Sequence, residues 1–280
     1  MTKMKASFIG IVRPQPEDLW PTLEKIAAIG YKATENAWSY CNTPGASFED
    51  NLKHLKDIGL EPVDVAAFNG EDLKTRGAHA IIENAHKLGV DKATMFHGAA
   101  YYAKGGKVVT YDEVMEEIEM LQNVAAECKK EGVKFAYHNH DHEFTTYFNG
   151  MTVFDMLLAY APDLWLELDV GWVTYAGYDP VKLLDRVKDR VALMHFKDYL
   201  PDSPVKHTVP MLDRTLTKTY DMPNFCSLGS GVLKVHDCLK KCAEIGIDVI
   251  NVEQDFNHVL DPLEILQVDY LVMKESGLVE

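Results

Sequence analysis

The chain has 280 residues, 47% apolar and 25% charged, an ordinary balance for a soluble globular protein with a substantial core. Its 28 Lys and Arg against 43 Asp and Glu leave a formal charge of −15, which repels a phosphate backbone and argues against nucleic acid as a partner. No apolar run reaches membrane-spanning length, MTKMK leads into ASFIGIV without a signal-peptide pattern, and five scattered cysteines (Cys41, Cys128, Cys226, Cys238, Cys242) suit a reducing compartment, so a cytoplasmic protein with no membrane partner is expected.

In chain order, short β-branched or aromatic runs predict strands at 5–12, 30–36, 60–68, 92–98, 133–140, 164–170, 191–198 and 248–254. Helical stretches lie between them. Ser47 with Asp50 is a weak start signal; Thr110 and Glu113 form a capping box before an apolar face (Val114, Ile118, Leu121, Ala125, Cys128) that stops at Gly132. Asp179-Pro180 and Asp261-Pro262 each read as an N-cap followed by proline in the first turn. Recurrent Ile-Gly and Leu-Gly steps mark returns from helix to strand. Eight such units predict an α/β fold, a closed (β/α)8 TIM barrel formed by one domain over 1–280. A doubly wound open sheet is the fallback, without the glycine fingerprint of a dinucleotide site.

Two segments break the rhythm. Residues 199–230 carry four prolines and no sustained period, which predicts a long loop after strand seven, either a lid or a peripheral insertion or oligomer contact. Residues 100–108 read as a flap, hinged at Gly105-Gly106 and carrying Tyr101 and Tyr102. Cys238 and Cys242, four apart on a helix, are read as core packing rather than a metal or redox pair.

The chemistry concentrates in YHNHDHEF (137–144), LELDVGW (166–172), LMHFKDY (193–199) and INVEQD (250–255), each an apolar run ending in His, Asp or Glu. Strand alternation sends Leu166, Leu168 and Val170 to the helices and Glu167 and Asp169 inward; it groups Val191, Leu193, His195 and Lys197, and pairs Asn251 with Glu253. His138 or His140, Asp169, His195 and Glu253 then converge at the C-terminal rim. Two imidazoles and two carboxylates suit Mn²⁺, Co²⁺, Mg²⁺, Fe²⁺ or Zn²⁺ and leave room for substrate oxygens. Each residue has a plainer reading, Asp169 as a helix cap and a lone inward His such as His97 as a core hydrogen-bonding group. The coincidence of parity and strand end outweighs it, because buried carboxylates without a cation or partner are costly.

These motifs, in this order, resemble the sugar phosphate isomerase/epimerase family of xylose isomerase-like TIM barrels over essentially the whole chain. The resemblance implies a divalent metal, usually Mn²⁺, held by Asp169, His195 and Glu253 as the last three ligands. For the first, this chain has His138 where many members have Glu, so either His138 ligates or Glu143 reaches back. The missing glutamate counts against a symmetrical two-carboxylate epimerase mechanism.

Such a site supports proton removal beside a ketone, with Lewis-acid stabilisation of an enediolate. Glu253 is the expected base, and His140 or Glu143 returns the proton or protonates a leaving oxygen, His140 being preferred. Lys197, Trp172, His97, and Glu35 with Trp38 on the opposite wall, are the expected substrate-binding residues. The leading expectation is an isomerase or epimerase of a keto-sugar or polyol derivative. Its rivals are a lyase or dehydratase on an inosose or 3-keto-glycoside, and a non-catalytic sugar-binding barrel. The expected partner is a small sugar or polyol; a homo-oligomer is left open.

Overall fold

The computed structural model describes residues 3–68, 70–96, 98, 109–210, 217–256 and 260–280, with the side chains of 67–72 and 202–221 outside the description. His97, Tyr101, Tyr102, Gly105 and Gly106 therefore lie outside the described residues.

The strands are β1 (Lys5–Ile9), β2 (Ala33–Thr34), β3 (Glu61–Pro62), β4 (Val65–Phe68), β5 (Lys92–Met95), β6 (Lys134–His138), the hairpin β7 (Tyr147–Phe148) and β8 (Met151–Thr152), β9 (Trp165–Asp169), β10 (Val191–Phe196), β11 (Asp198–Pro210), β12 (Thr217–Cys226) and β13 (Val249–Glu253). Nine of them form one sheet in the order β3-β2-β1-β13-β10-β9-β6-β5-β4. All its described pairings are parallel. The two ends, β3 and β4, are successive pieces of one segment broken at Val63-Asp64. The sheet therefore returns on itself, and nine strands occupy the eight positions of a barrel.

Helices on the outside make the crossovers that parallel strands require. The sequence signals for their starts are present: Ser47 accepts from Asp50 N, Thr110 and Glu113 close a capping box, and Asp179 and Asp261 cap helices with proline in the first turn. Each such cap contributes about 1 kcal/mol. Cys238 and Cys242 are buried in the main apolar cluster on Val235–Ile245, as packing residues.

Strand alternation divides the side chains into two populations. Ala6, Phe8, Phe135, Leu166, Leu168, Met194, Phe196, Ile250 and Val252 belong to the large cluster shared with the helices. Ala33, Val63, Ala192, Leu193 and Val249, with Trp165, form a separate small plug inside the barrel. One alternation fails. A register irregularity between Val191 and Leu193 puts Val191 in the outer cluster and Ala192 with Leu193 in the plug. An inserted residue of this kind is invisible to a period-two count.

Residues 199–230 correct the expectation of a structureless loop. β11 and β12 pair as an antiparallel ribbon, with a register shift between Leu200 and Val205. Proline argues against an interior strand, but a two-stranded ribbon has only edge strands, and Pro201 and Pro204 fall in the irregular stretch.

Candidate metal centre

Above the plug the barrel interior turns polar. Ser7, Glu35, Thr94, Glu167, His195 and Asn251 are buried on six different strands or strand ends. His138 ends β6, Asp169 ends β9 and Glu253 ends β13, while His195 is matched in register with Asp169 and Asn251. The result is a four-residue group. His138, Asp169, His195 and Glu253 each bring one ligand atom within 4.8 Å of the others. His195 Nδ1 lies 2.9 Å from Glu253 Oε2, and His138 Nε2 lies 3.9 Å from Asp169 Oδ2.

Two carboxylates support these rings from below. Glu167 Oε2 lies 3.1 Å from His138 Nδ1, and Glu35 Oε2 lies 2.8 Å from His195 Nε2. Glu35 is therefore beneath the cluster, not on its far wall. Trp38 does not join it: its ring packs 5.1 Å from Phe48, with Lys87 nearby, among the outer helices.

Lys197 is the buried cation of the group, 2.8 Å from Asp255 Oδ2, 2.9 Å from Glu253 Oε2 and 3.5 Å from Asp169 Oδ2. Its partner Asp255 was absent from the sequence-derived site, although it follows Glu253 by two and so shares its parity. Asp198, the plainer partner for Lys197, instead accepts the backbone N–H groups of Tyr199, Gly229, Gly231 and Leu233. Trp172 walls the site: Lys197 Nζ is 5.0 Å from its ring, His140 packs 5.4 Å away, and its buried indole Nε1 makes no hydrogen bond among the described residues.

The charges are strongly coupled. Burial would raise the Glu253 pKa, but Lys197 and His195 hold it well below the carboxylate range. Burial likewise opposes the His195 cation, yet Glu167 and Glu35 raise its pKa well above an ordinary imidazole. Asp169 goes the other way, raised chiefly by burial against the pull of Lys197 and His138. Burial and the neighbouring Glu167 push Glu35 up, while the His195 ring it faces pulls it down.

Glu143 belongs to a second group. It accepts from Tyr137 Oη at 2.6 Å and from His140 N at 2.7 Å, and its Oε1 is 2.9 Å from His142 Nε2. Of the two expected first ligands, His138 is therefore the one that stands with Asp169, His195 and Glu253. His140 bridges the groups, its ring 4.9 Å from His138 and stacked at 5.4 Å on His142.

These residues fit a divalent ion. Asp169 Oδ2 is buried with no hydrogen bond among the described residues, the Lys197 ammonium at 3.5 Å and His138 Nε2 at 3.9 Å standing off from it, so it keeps lone pairs for an ion. The donor set of two imidazoles and two carboxylates is a usual one for Zn²⁺, Mn²⁺, Fe²⁺ or Co²⁺, and the four ligand atoms lie near enough to one another to share a single ion.

Known proteins carry the same architecture. The chain is 30% identical over 197 residues to an inosose dehydratase of Geobacillus kaustophilus, covering 64% of this chain and 62%, less than two thirds, of that relative. A sugar phosphate isomerase/epimerase of Parabacteroides distasonis superposes with a TM-score of 0.74 at 18% identity, over 99% of this chain and 100% of the other. The IOLI protein with a bound zinc atom superposes with a TM-score of 0.69 at 18% identity, over 98% of each chain. The signature of the xylose isomerase-like TIM barrel family matches residues 23–269. The chain belongs to that family.

Proposed function

We propose that this protein is a metal-dependent dehydratase that removes water from a polyol ketone of the inosose kind. The observation that carries the reading is the gathering of His138, Asp169, His195 and Glu253 beside the buried cation of Lys197. The inosose dehydratase relative supports elimination over epimerisation. So does the asymmetry of the site, which has one carboxylate base at the rim and an imidazole where a second would stand.

His138, Asp169, His195 and Glu253 would hold the ion, which when bound supplies Lewis acidity to a substrate ketone and lowers the pKa of the neighbouring C–H. Glu253, kept ionised by Lys197 and His195, accepts that proton. Lys197 cannot readily release its own proton, since Asp255 and Glu253 outweigh burial and raise its pKa; its role is to face the developing enolate charge. His140 donates a proton to the departing β-hydroxyl, so that one water leaves and an unsaturated ketone or its tautomer remains. Trp172 offers its ring to the sugar face and its N–H, without a partner among the described residues, to a hydroxyl. Glu143, committed to Tyr137 and His142, positions His140 through its backbone.

The five thiols are free and four of them buried, which supports a reducing, cytoplasmic setting. Among the described residues no helix is long and apolar enough to cross a membrane. The whole of 1–280 is read as one barrel domain with β11 and β12 as its ribbon.

The test is incubation of the zinc- or manganese-loaded protein with an inosose in D₂O. A product lighter by one water, absorbing in the ultraviolet and lost in Glu253→Gln, is expected. Deuterated isomers of unchanged composition would move the assignment to the isomerase or epimerase reading, which the Parabacteroides structure supports at the level of fold. A Glu253→Gln variant as active as the wild type would remove the assigned base.

A further inference from the structure

Glu35 engages its two oxygens in opposite directions. Oε1 accepts the side-chain N–H₂ of Asn251, and Oε2 faces His195 Nε2 at 2.8 Å. The other ring nitrogen, Nδ1, points to Glu253 on the side where His138 and Asp169 gather. A ring nitrogen ligates only through its lone pair, so Nδ1 is available to an ion only if the proton of the neutral imidazole sits on Nε2. We propose that Glu35, oriented by Asn251, is a positioning residue that selects this tautomer: its carboxylate accepts the Nε2–H and leaves Nδ1 bare. The inference rests on the reading of His138, Asp169, His195 and Glu253 as a metal centre. It adds a requirement from the other side of the barrel, since Glu35 follows β2 and touches none of the other three.

Asn251 gives the proposal a polarity that can be reversed. Its amide donates to Oε1. In Glu35→Gln the introduced amide must therefore turn its oxygen to Asn251 and its N–H₂ to His195 Nε2. That nitrogen becomes the acceptor, and since Glu167 Oε1, at 3.4 Å from it against 2.8 Å for Glu35, is the more distant competitor for the ring proton, the proton moves to Nδ1 and ligation is blocked with size and shape unchanged. Adding Asn251→Asp turns the amide round again: the new carboxylate accepts the N–H₂, and the amide oxygen returns to His195 Nε2–H. The pair then carries the same total charge as in the wild type.

The experiment combines zinc affinity, measured by competition with a chromophoric chelator, with ¹⁵N NMR of the His195 ring in the full-length protein. In the zinc-loaded wild type the proton is expected on Nε2 and the metal shift on Nδ1; the reverse assignment overturns the proposal without any variant. Glu35→Gln should bind zinc about 10- to 100-fold more weakly, the usual cost of losing a carboxylate behind a ligating histidine. Glu35→Gln/Asn251→Asp should regain most of that affinity. A single variant that binds zinc as tightly as the wild type, or a folded double variant no better than the single one, overturns the proposal. Failure of the underlying reading looks different: zinc binding of the wild type would be indifferent to Asp169→Asn, and the inference would fall with the centre it serves.

Discussion

Asp169 caps the helix Val170–Tyr175 through Oδ1, which accepts the Trp172 backbone N–H at 2.9 Å, while its Oδ2 turns to Lys197 and His138 with no hydrogen bond among the described residues. One oxygen makes the cap, and the other is left for the proposed ligand role. Asp169→Asn keeps an oxygen for the cap and places an amide in the cluster. It should fold with nearly wild-type stability and lose zinc binding by more than tenfold in chelator competition. Asp169→Ala should lose the cap as well, at a further cost of about 0.5–2 kcal/mol in denaturant unfolding. Equal stability of the two variants would show that the cap contributes nothing.

Lys197 predicts a stability effect that depends on metal. Lys197→Met leaves Asp255, Glu253 and Asp169 without their shared cation, and breaking a buried ion pair from one side costs about 3–5 kcal/mol. That loss should appear in the presence of a chelator and shrink when zinc is added, because the ion then offsets the same carboxylates. An identical loss with and without zinc would separate Lys197 electrostatically from the centre.

Gly171 is needed for close approach rather than for a special dihedral. A Cβ there would lie 2.1 Å from the Lys197 carbonyl oxygen, backbone that has little freedom to retreat. Gly171→Ala should therefore cost about 1–3 kcal/mol of stability, as overpacking does, and displace Lys197 from Trp172. Thermal unfolding measures the first effect, and the intrinsic fluorescence of Trp172, against a Trp172→Phe control, the second.

Asp269 gives a pH dependence far from the centre. Burial raises its pKa to about 8, with Leu228 N–H opposing and Asp198 adding to the rise. An unfolded aspartate titrates near 3.9, so between about pH 4 and pH 8 the native state holds the proton more tightly and stability falls as pH rises. Asp269→Asn keeps an acceptor for Leu228 N–H and carries no charge. Its stability advantage over the wild type should grow from pH 5 to pH 8 in urea unfolding; a constant difference would contradict the assignment.

Much of the centre is legible in the sequence because strand alternation is local. Leu166, Leu168 and Val170 bracket Glu167 and Asp169, and the same rule places His195 and Glu253. Relationships that cross the barrel are not local, and no spacing along the chain reports that Glu35 reaches His195. The capture of Glu143 by Tyr137 and His142 is also hidden, since it depends on how the short helix His142–Thr145 turns after β6. Trp38 shows the limit of reading a strand end as a wall, because Glu35 still points inward after β2 whereas Trp38, three residues on, already lies on the helix Ala37–Cys41 and packs on Phe48. The ribbon escaped because its prolines, forbidding inside a sheet, are tolerated where each of two strands is an edge.

One carboxylate, Asp198, fastens both feet of that ribbon: it begins β11, and its oxygens hold Gly229, Gly231 and Leu233 just beyond β12. Gly231 sits so near that a Cβ there would lie 2.2 Å from the Tyr199 carbonyl oxygen. The two described strands are thus tied together at one residue, and the residue before it in the chain is Lys197. Loosening that tie is therefore expected to shift Lys197, one peptide bond away, against Asp255 and Glu253.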